Sequence, residues 1–394
     1  MHNISRVKTG LEKFVSERPM WARGKHFGLL CHQASVDKNF IHAKELINAA
    51  FPGALKCLFS PQHGLNAEKQ DNMIESADGW EPDLSIPIYS LYGEVRQPRP
   101  EHLSDIDIFI IDLQDVGCRV YTYIWTMLLS MRECAKAGIE ICILDRPNPI
   151  GGLEIEGNLL DPAFFSFVGL APIPMRHGMT MGELALMFKK MEDLDLDLHI
   201  VTMEGWRRSM YFPDTGLPWV WPSPNMPIFD TALVYPGQVI LETTNLSEGR
   251  GTTRPFEIFG APFLNQGKII RQLEKYRLPG FVLRSQNFEP TFHKWQGKTC
   301  KGFQIHVTDR KQYQPYLTTL AILSAICTEF PGQFEWKEPP YEYEFEKLPA
   351  DLVIGSTKIR QAVEAGISPE ELKKLWAEDI KKFDNLRKEF QLYH

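Results

Sequence analysis

The sequence predicts an α/β protein: a Rossmann-like, mainly parallel sheet domain followed by a second, smaller α+β domain. Three observations carry this reading. Within the first 150 residues the runs 27–31 (FGLLC), 55–59 (LKCLF), 86–91 (IPIYSL), 106–112 (IDIFIID) and 139–144 (IEICIL) are almost continuously apolar. That is the pattern of strands covered on both faces rather than one. Between them, 39–50 and 121–137 carry helix-like apolar spacing, and Gly138 is a natural stop for the second. Strand–helix alternation of this kind implies a doubly wound, mainly parallel sheet. Beyond residue 150 the texture changes.

Segment 146–262 is dense in Pro and Gly (RPNPIGG, APIPMRHGMT, TGLPWVWPSPNMP, SEGRGTTRPF). Such runs fix turns and suit ordered surface loops that carry function. Within and after it we expect a helix near 181–191, strands near 198–203, 281–285 and 302–308, and a buried helix over 316–330. Ser368-Pro369-Glu370-Glu371 reads as a capping-box start. The helix it opens runs towards Phe390, with Leu372, Trp376, Phe383, Leu386 and Phe390 roughly on one face, a structural clasp. A chain of 394 residues is too long for one ordinary core. The expected division is 1–240, the catalytic sheet domain, and 241–394, closing the cleft and ending in the long helix.

Composition narrows the function. A net charge of −7 argues against nucleic acid as a partner, because phosphate binding needs a basic face. No continuous apolar stretch suggests a secretory leader or a membrane span. The seven cysteines are odd in number and irregularly spaced, and several lie inside apolar runs. That is the usage of reduced thiols, and cytoplasmic localisation is expected.

Each expected strand runs into polar residues at its C-terminal end: His32 and Gln33, Gln62 and His63, Tyr92 and Glu94, Asp112, Gln114 and Asp115, then Asp145, Arg146 and Asn148. In an open parallel sheet those ends share one edge, where ligands bind. The common chemistries fail there. The first strand is followed by HQASVDKN, without the glycines a dinucleotide needs. No phosphate-loop motif, HExxH, CxxC or G-x-S-x-G elbow occurs. Carboxylates, arginines, tyrosines and a few histidines remain, an inventory that suits glycosidic hydrolysis, which needs an acid for the leaving oxygen and a second base or nucleophile.

SPQHGL (60–65), IPIYSLYGEVRQP (86–98), DLQDVGCRVYTY (112–123), LDRPNPIGG (144–152), RHGMTMGELA (176–185), PSPNMP (222–227) and NLSEGRGTTRPFEIFGAP (245–262) occur in order along the chain. Together they resemble the NamZ-type exo-β-N-acetylmuramidases. The resemblance implies a Rossmann-like domain, a smaller C-terminal domain and a cleft between them. It also implies release of terminal, non-reducing N-acetylmuramic acid from peptidoglycan-derived fragments, a role in peptidoglycan recycling, a small muropeptide or amino-sugar disaccharide as substrate, and no metal or organic cofactor. One position departs from the family: the residue before His63, often Glu there, is Gln62, which exchanges no proton at neutral pH.

The expected catalytic residues are therefore Glu75 on the same loop, a general acid or base, with His63 to orient it and Glu248 as the second carboxylate. Gly249 and Gly251 flank Glu248 and permit a close approach to ligand. Arg119 and Arg250 are expected to grip the lactyl carboxylate through paired hydrogen bonds. Gln62, Tyr92, Asp115, Tyr121, Asp145, Arg146, Asn148, His177 and Asn225 are further expected pocket residues. Three alternatives stay open: hydrolysis of another N-acetylhexosaminide or acidic glycoside, a non-catalytic cell-wall sugar-binding protein, and a phosphate-handling enzyme using 249–254 as an anion loop.

Overall fold

The computed structural model describes residues 6–70 and 73–394. Seven strands form the larger sheet: β1 (Phe27–Cys31), β2 (Leu55–Ser60), β3 (Gly79–Glu81), β4 (Ile86–Ser90), β5 (Ile108–Asp112), β6 (Glu140–Leu144) and β7 (Leu198–Val201). Their order is β3-β4-β2-β1-β5-β6-β7. All pairs are parallel except β3 with β4. The lack of polar alternation in the sequence has a direct cause. Ile108 and Ile110 of β5 pack into one core with the helices Gly10–Glu17 and Ala43–Ala50. Phe109 and Ile111 point the other way, into the core shared with the helix Tyr123–Ala137. That helix ends where expected: Gly138 takes φ 67° and returns its N–H to the last turn. The short edge strand β3 carried no apolar run and was not foreseen.

The smaller sheet is antiparallel, with β8 (Ile258–Ala261), β9 (Phe281–Phe288) and β10 (Cys300–Val307) in the order β8-β10-β9. Strand β8 lies inside the Gly/Pro-rich motif that the sequence marked as loop. Against β10 pack the helices Phe229–Gln238 and Gln266–Glu274, and the buried helix Pro315–Glu329 packs on both of them. The last long helix, Pro369–Arg387, buries Leu372, Trp376 and Phe383. Ser368 accepts from the Glu371 N–H at 3.3 Å. The Glu371 carboxylate returns to the Ser368 hydroxyl rather than to its main-chain N–H, so the capping box is half formed. The helix is a clasp in the literal sense. Arg387 donates to the carbonyls of Gly152 (3.0 Å) and Leu153 (2.9 Å), and Tyr393 donates to Asp145 (2.6 Å) beyond β6. Among the described residues no helix is long and apolar enough to cross a membrane.

Candidate active site

Strand β1 sits where the chain order reverses, with β2 on one side and β5 on the other. The C-terminal ends of these strands are the expected ligand edge. The crevice directly beside β5 is filled by protein. Arg146 grips Asp112 with two hydrogen bonds of 2.6 and 2.8 Å, both groups buried, and also donates to the Val36 carbonyl. Asp145 is wholly buried and accepts from Thr180, Gly182 and Tyr393 (2.7, 2.9 and 2.6 Å). Burial pushes its carboxyl up to about 6. Asn148 donates to the Met179 carbonyl, and Asp115 accepts from Gly117 N–H with His177 3.4 Å away. These five residues, Asp115, Asp145, Arg146, Asn148 and His177, hold loops together behind the edge. None lines the pocket described below, which corrects their expected placement.

Arg119 is corrected for the same reason. Its side chain is fully buried, and the two terminal nitrogens donate to four main-chain carbonyls: Asn158 and Ile173 (2.9 and 3.0 Å), Val353 and Ile354 (both 2.9 Å). It joins the two halves of the chain and has no face for substrate.

A pocket opens instead between the loop after β2, the turn after β5 and the C-terminal half. Gln62, His63, Tyr121, Asn225 and Arg250 line it, all expected from sequence. So do Tyr235, Glu242, Phe256, Tyr341 and Glu342, which were not. The His63 Nδ1 lies 2.6 Å from the Lys69 carbonyl, an acceptor only, so this nitrogen carries the proton. Asn225 Nδ2 and Arg250 Nη1 both donate to one oxygen, the Gln70 carbonyl, at 2.8 and 3.4 Å. Among the described residues no group meets hydrogen-bond geometry with the buried Tyr121 hydroxyl, although Ser223 and Tyr123 lie beside it. The cavity is about 30 Å³, room for a water or two.

The backbone around the pocket is strained. His63 (φ 76°), Phe256 (φ 62°), Glu342 (φ 46°) and its neighbour Tyr343 (φ 66°) all lie in the left-handed region that side chains with a Cβ avoid. Such residues persist only where surrounding structure over-determines them, and they gather at functional sites.

Two carboxyls face this pocket in different surroundings. Glu242 forms an ion pair with Arg250 at 2.6 Å and accepts from the Tyr341 hydroxyl at 2.8 Å. Glu342 accepts from Gln62 Nε2 at 3.2 Å and from the Tyr92 hydroxyl at 2.7 Å. Burial first, and then the nearby Glu242 charge, raise Glu342 above the usual carboxylate range, while the bonds from Tyr92 and Gln62 oppose this. Gln62 also accepts from Thr122 at 2.6 Å, so its orientation is fixed from both ends. Tyr92, an expected binder, stands behind Glu342 rather than in the pocket.

Glu75 and Glu248 do not share that pocket. Glu75 is exposed on a neighbouring groove, 3.7 Å from Arg96 and 3.4 Å from the Tyr343 hydroxyl. Glu248 is completely buried beside the pocket wall, among Lys294 (2.9 Å), Arg250 (3.3 Å) and His293 (3.4 Å). Burial alone would push its carboxyl up, but the Lys294 and Arg250 charges, with His293 beside them, outweigh it and hold it below the usual range. The glycines beside it serve protein contacts: a Cβ on Gly249 would lie 2.4 Å from the Ile258 carbonyl, and one on Gly251 2.6 Å from the Phe292 carbonyl. Sequence reasoning passed over Glu242 and Glu342 because they fall just outside the motif strings, in ILETTNL and YEYEFE. A clue was there: both carboxyls alternate with or adjoin residues rich in hydroxyls and rings.

Two unlike carboxyls lining one small polar pocket are the kind of pair that glycosidic hydrolysis uses. The family models agree. "Exo-beta-N-acetylmuramidase NamZ, N-terminal" matches residues 27–230, and its C-terminal counterpart matches 233–393. The chain belongs to the NamZ exo-β-N-acetylmuramidase family. It is 40% identical over 388 residues to the peptidoglycan β-N-acetylmuramidase NamZ of Bacillus subtilis (strain 168), covering 98% of this chain and 92% of that one. Among solved structures, two DUF1343 family proteins from Bacteroides fragilis superpose with TM-scores of 0.87 and 0.76, at 32% and 28% identity, each covering 99% of both chains.

Proposed function

We propose that this protein is an exo-acting β-N-acetylmuramidase that removes the terminal, non-reducing N-acetylmuramic acid from peptidoglycan-derived fragments. The observation that carries the reading is the pairing of Glu242 and Glu342 across one pocket, one carboxyl with a guanidinium at its side and the other buried against neutral donors. Glycosidic hydrolysis needs such a pair, because one group must give a proton while the other acts on the anomeric carbon or its water. Asn225 and Arg250 line the pocket and converge on the Gln70 carbonyl, a place that an acetamido or lactyl oxygen of the sugar would take over. His63, with its proton fixed on Nδ1, lines the same wall.

The substrate is a small carbohydrate, a muropeptide or amino-sugar disaccharide. We place the reaction in the cytoplasm, in recycling of wall fragments, because all seven cysteines are free thiols and six are buried. The test is a panel of 4-nitrophenyl glycosides together with the disaccharide of N-acetylmuramic acid β-linked to N-acetylglucosamine. Hydrolysis of the muramides alone is the expected result. Preference for the glucosaminide would reassign the substrate to another N-acetylhexosaminide, and binding without turnover would make the protein a sugar-binding one.

A further inference from the structure

We propose that Glu342, delivered by the strained turn 341–344 of the C-terminal half, is the proton donor to the leaving sugar, and that Tyr92 and Gln62 position it. The proposal rests on the glycosidase reading above and adds which carboxyl does what. Three independent observations support it. Glu342 is 4% exposed yet lines the pocket, so it borders the cavity while being shielded from bulk water. Its two oxygens are each addressed by one donor, Gln62 Nε2 at Oε1 and the Tyr92 hydroxyl at Oε2, which leaves the carboxyl one orientation. Its backbone and that of Tyr343 sit at φ 46° and 66°, held by paired hydrogen bonds between Tyr341 and Glu344 of 2.9 and 3.0 Å. A two-residue turn needs positive φ at both central positions, and filling them with Glu and Tyr rather than with Asn or Gly sets the Glu342 side chain at the tip of the turn.

The groups acting on Glu342 include Glu242, Arg96 and the hydroxyls of Tyr92, Tyr235, Tyr341 and Tyr343; His63 and Arg250 line the same pocket, the latter turned to Glu242 and Glu248. Arg96 acts on it as a cation. Its guanidinium is stacked between Tyr92 (4.3 Å) and Tyr343 (4.1 Å) rather than paired with the carboxyl. Burial and the Glu242 charge thus keep Glu342 able to hold a proton at a pH where an exposed carboxyl has lost it. In the step itself, the Glu342 proton moves to the bridging oxygen as the C1–O bond breaks. The leaving sugar departs as an alcohol and Glu342 is left as a carboxylate. Water supplies the hydroxyl that ends on C1, and its other proton restores the carboxyl pair.

The experiment compares leaving groups. A sugar alkoxide must be protonated to depart, whereas 2,4-dinitrophenolate departs as an anion. Glu342→Gln should lose roughly 10²–10⁴-fold in kcat/KM on the disaccharide and less than about tenfold on the 2,4-dinitrophenyl muramide, with the basic limb of the disaccharide profile abolished. Tyr92→Phe removes a bond to the ionised form, so its basic limb should move to higher pH. Equal losses of Glu342→Gln on both substrates, or an unmoved limb in Tyr92→Phe, would overturn the assignment. Should Glu342→Gln fail to fold, the Tyr92→Phe profile decides alone. A wild-type enzyme inactive on both muramides would sink the functional reading instead, and this role with it.

Discussion

Arg250 Nη2 lies 2.6 Å from Oε1 of Glu242, with both side chains buried at the wall of the pocket. The contact supplies a carboxylate with its counter-charge already in place. It also ties the Gly-rich turn near residue 250 to the 3₁₀ segment Val239–Thr243 that carries Glu242. Arg250 reaches Glu248 as well, at 3.3 Å, so the guanidinium keeps a partner if Glu242 is neutralised. Glu242→Gln should therefore fold and lose activity, by roughly 10²–10⁴-fold in kcat on every muramide including the dinitrophenyl one. Steady-state rates beside a thermal melt check this. A variant within threefold of wild type would remove Glu242 from the mechanism.

Glu75 and Glu248 separate exposure from burial. Glu75→Gln, on an exposed rim, should change kcat/KM by less than about fivefold, since exposed ion pairs contribute little. Glu248→Gln should destabilise the fold by about 3 kcal/mol, because Lys294, Arg250 and His293 lose their shared counter-charge. The folded-state carboxyl sits below its unfolded value, so the stability it gives is present above the usual carboxylate range and lost as pH falls through the folded value. Urea midpoints at pH 7 and pH 4 should therefore differ less in the variant than in wild type.

The two arginines expected to clamp the lactyl group should behave differently. Arg119→Met leaves four buried carbonyls without donors and should lower stability by about 3 kcal/mol or more, with muramide and glucosaminide rates falling together. Arg250→Ala should lower the muramide rate by the larger factor. The ratio of the two rates, measured on matched nitrophenyl glycosides, distinguishes these outcomes.

Much of this architecture was legible in the residues. The four central strands β1, β2, β5 and β6 announce themselves because both faces are covered, so each reads as a nearly unbroken apolar run, while the half-buried β4 was legible from its Ile and Tyr content. Gly138 and Ser368 mark helix ends through backbone chemistry that is local to a few residues. The pocket was half legible: Gln62, His63, Tyr121, Asn225 and Arg250 lie in strings with unusual turn chemistry. What stayed hidden was pairing over long separations. Nothing local distinguishes Arg119, which closes a seam between carbonyls some 235 residues away, from Arg250, which faces the pocket. Glu342 looks like one of many acidic residues in YEYEFE until Gln62 and Tyr92 are brought to it across 280 and 250 positions.

A buried carboxyl away from the pocket predicts a pH effect on folding alone. Glu156 accepts from the first free N–H groups of the helix Pro315–Glu329, Tyr316 at 3.2 Å and Leu317 at 2.8 Å. Burial pushes it up to about 7, with these bonds and Arg176 opposing. The value is raised on folding, so the stability it contributes is complete below the unfolded value near 4.5 and is lost as pH rises through about 7. The loss corresponds to about 3 kcal/mol. Asp145 acts in the same direction up to about 6. Urea denaturation from pH 4.5 to 8 should show the decline in wild type and a shallower one in Glu156→Gln, whose single acceptor oxygen keeps one of the two helix bonds. Parallel curves would refute the linkage.

The most direct test of the central claim is chromatographic detection of free N-acetylmuramic acid after incubation with its β-linked disaccharide, for wild type, Glu242→Gln, Glu342→Gln and Glu75→Gln at matched folded concentration. The account predicts stoichiometric release by wild type and Glu75→Gln, and release at least a hundredfold slower by each of the other two. Full activity in both pocket variants, with loss confined to Glu75→Gln, would contradict it.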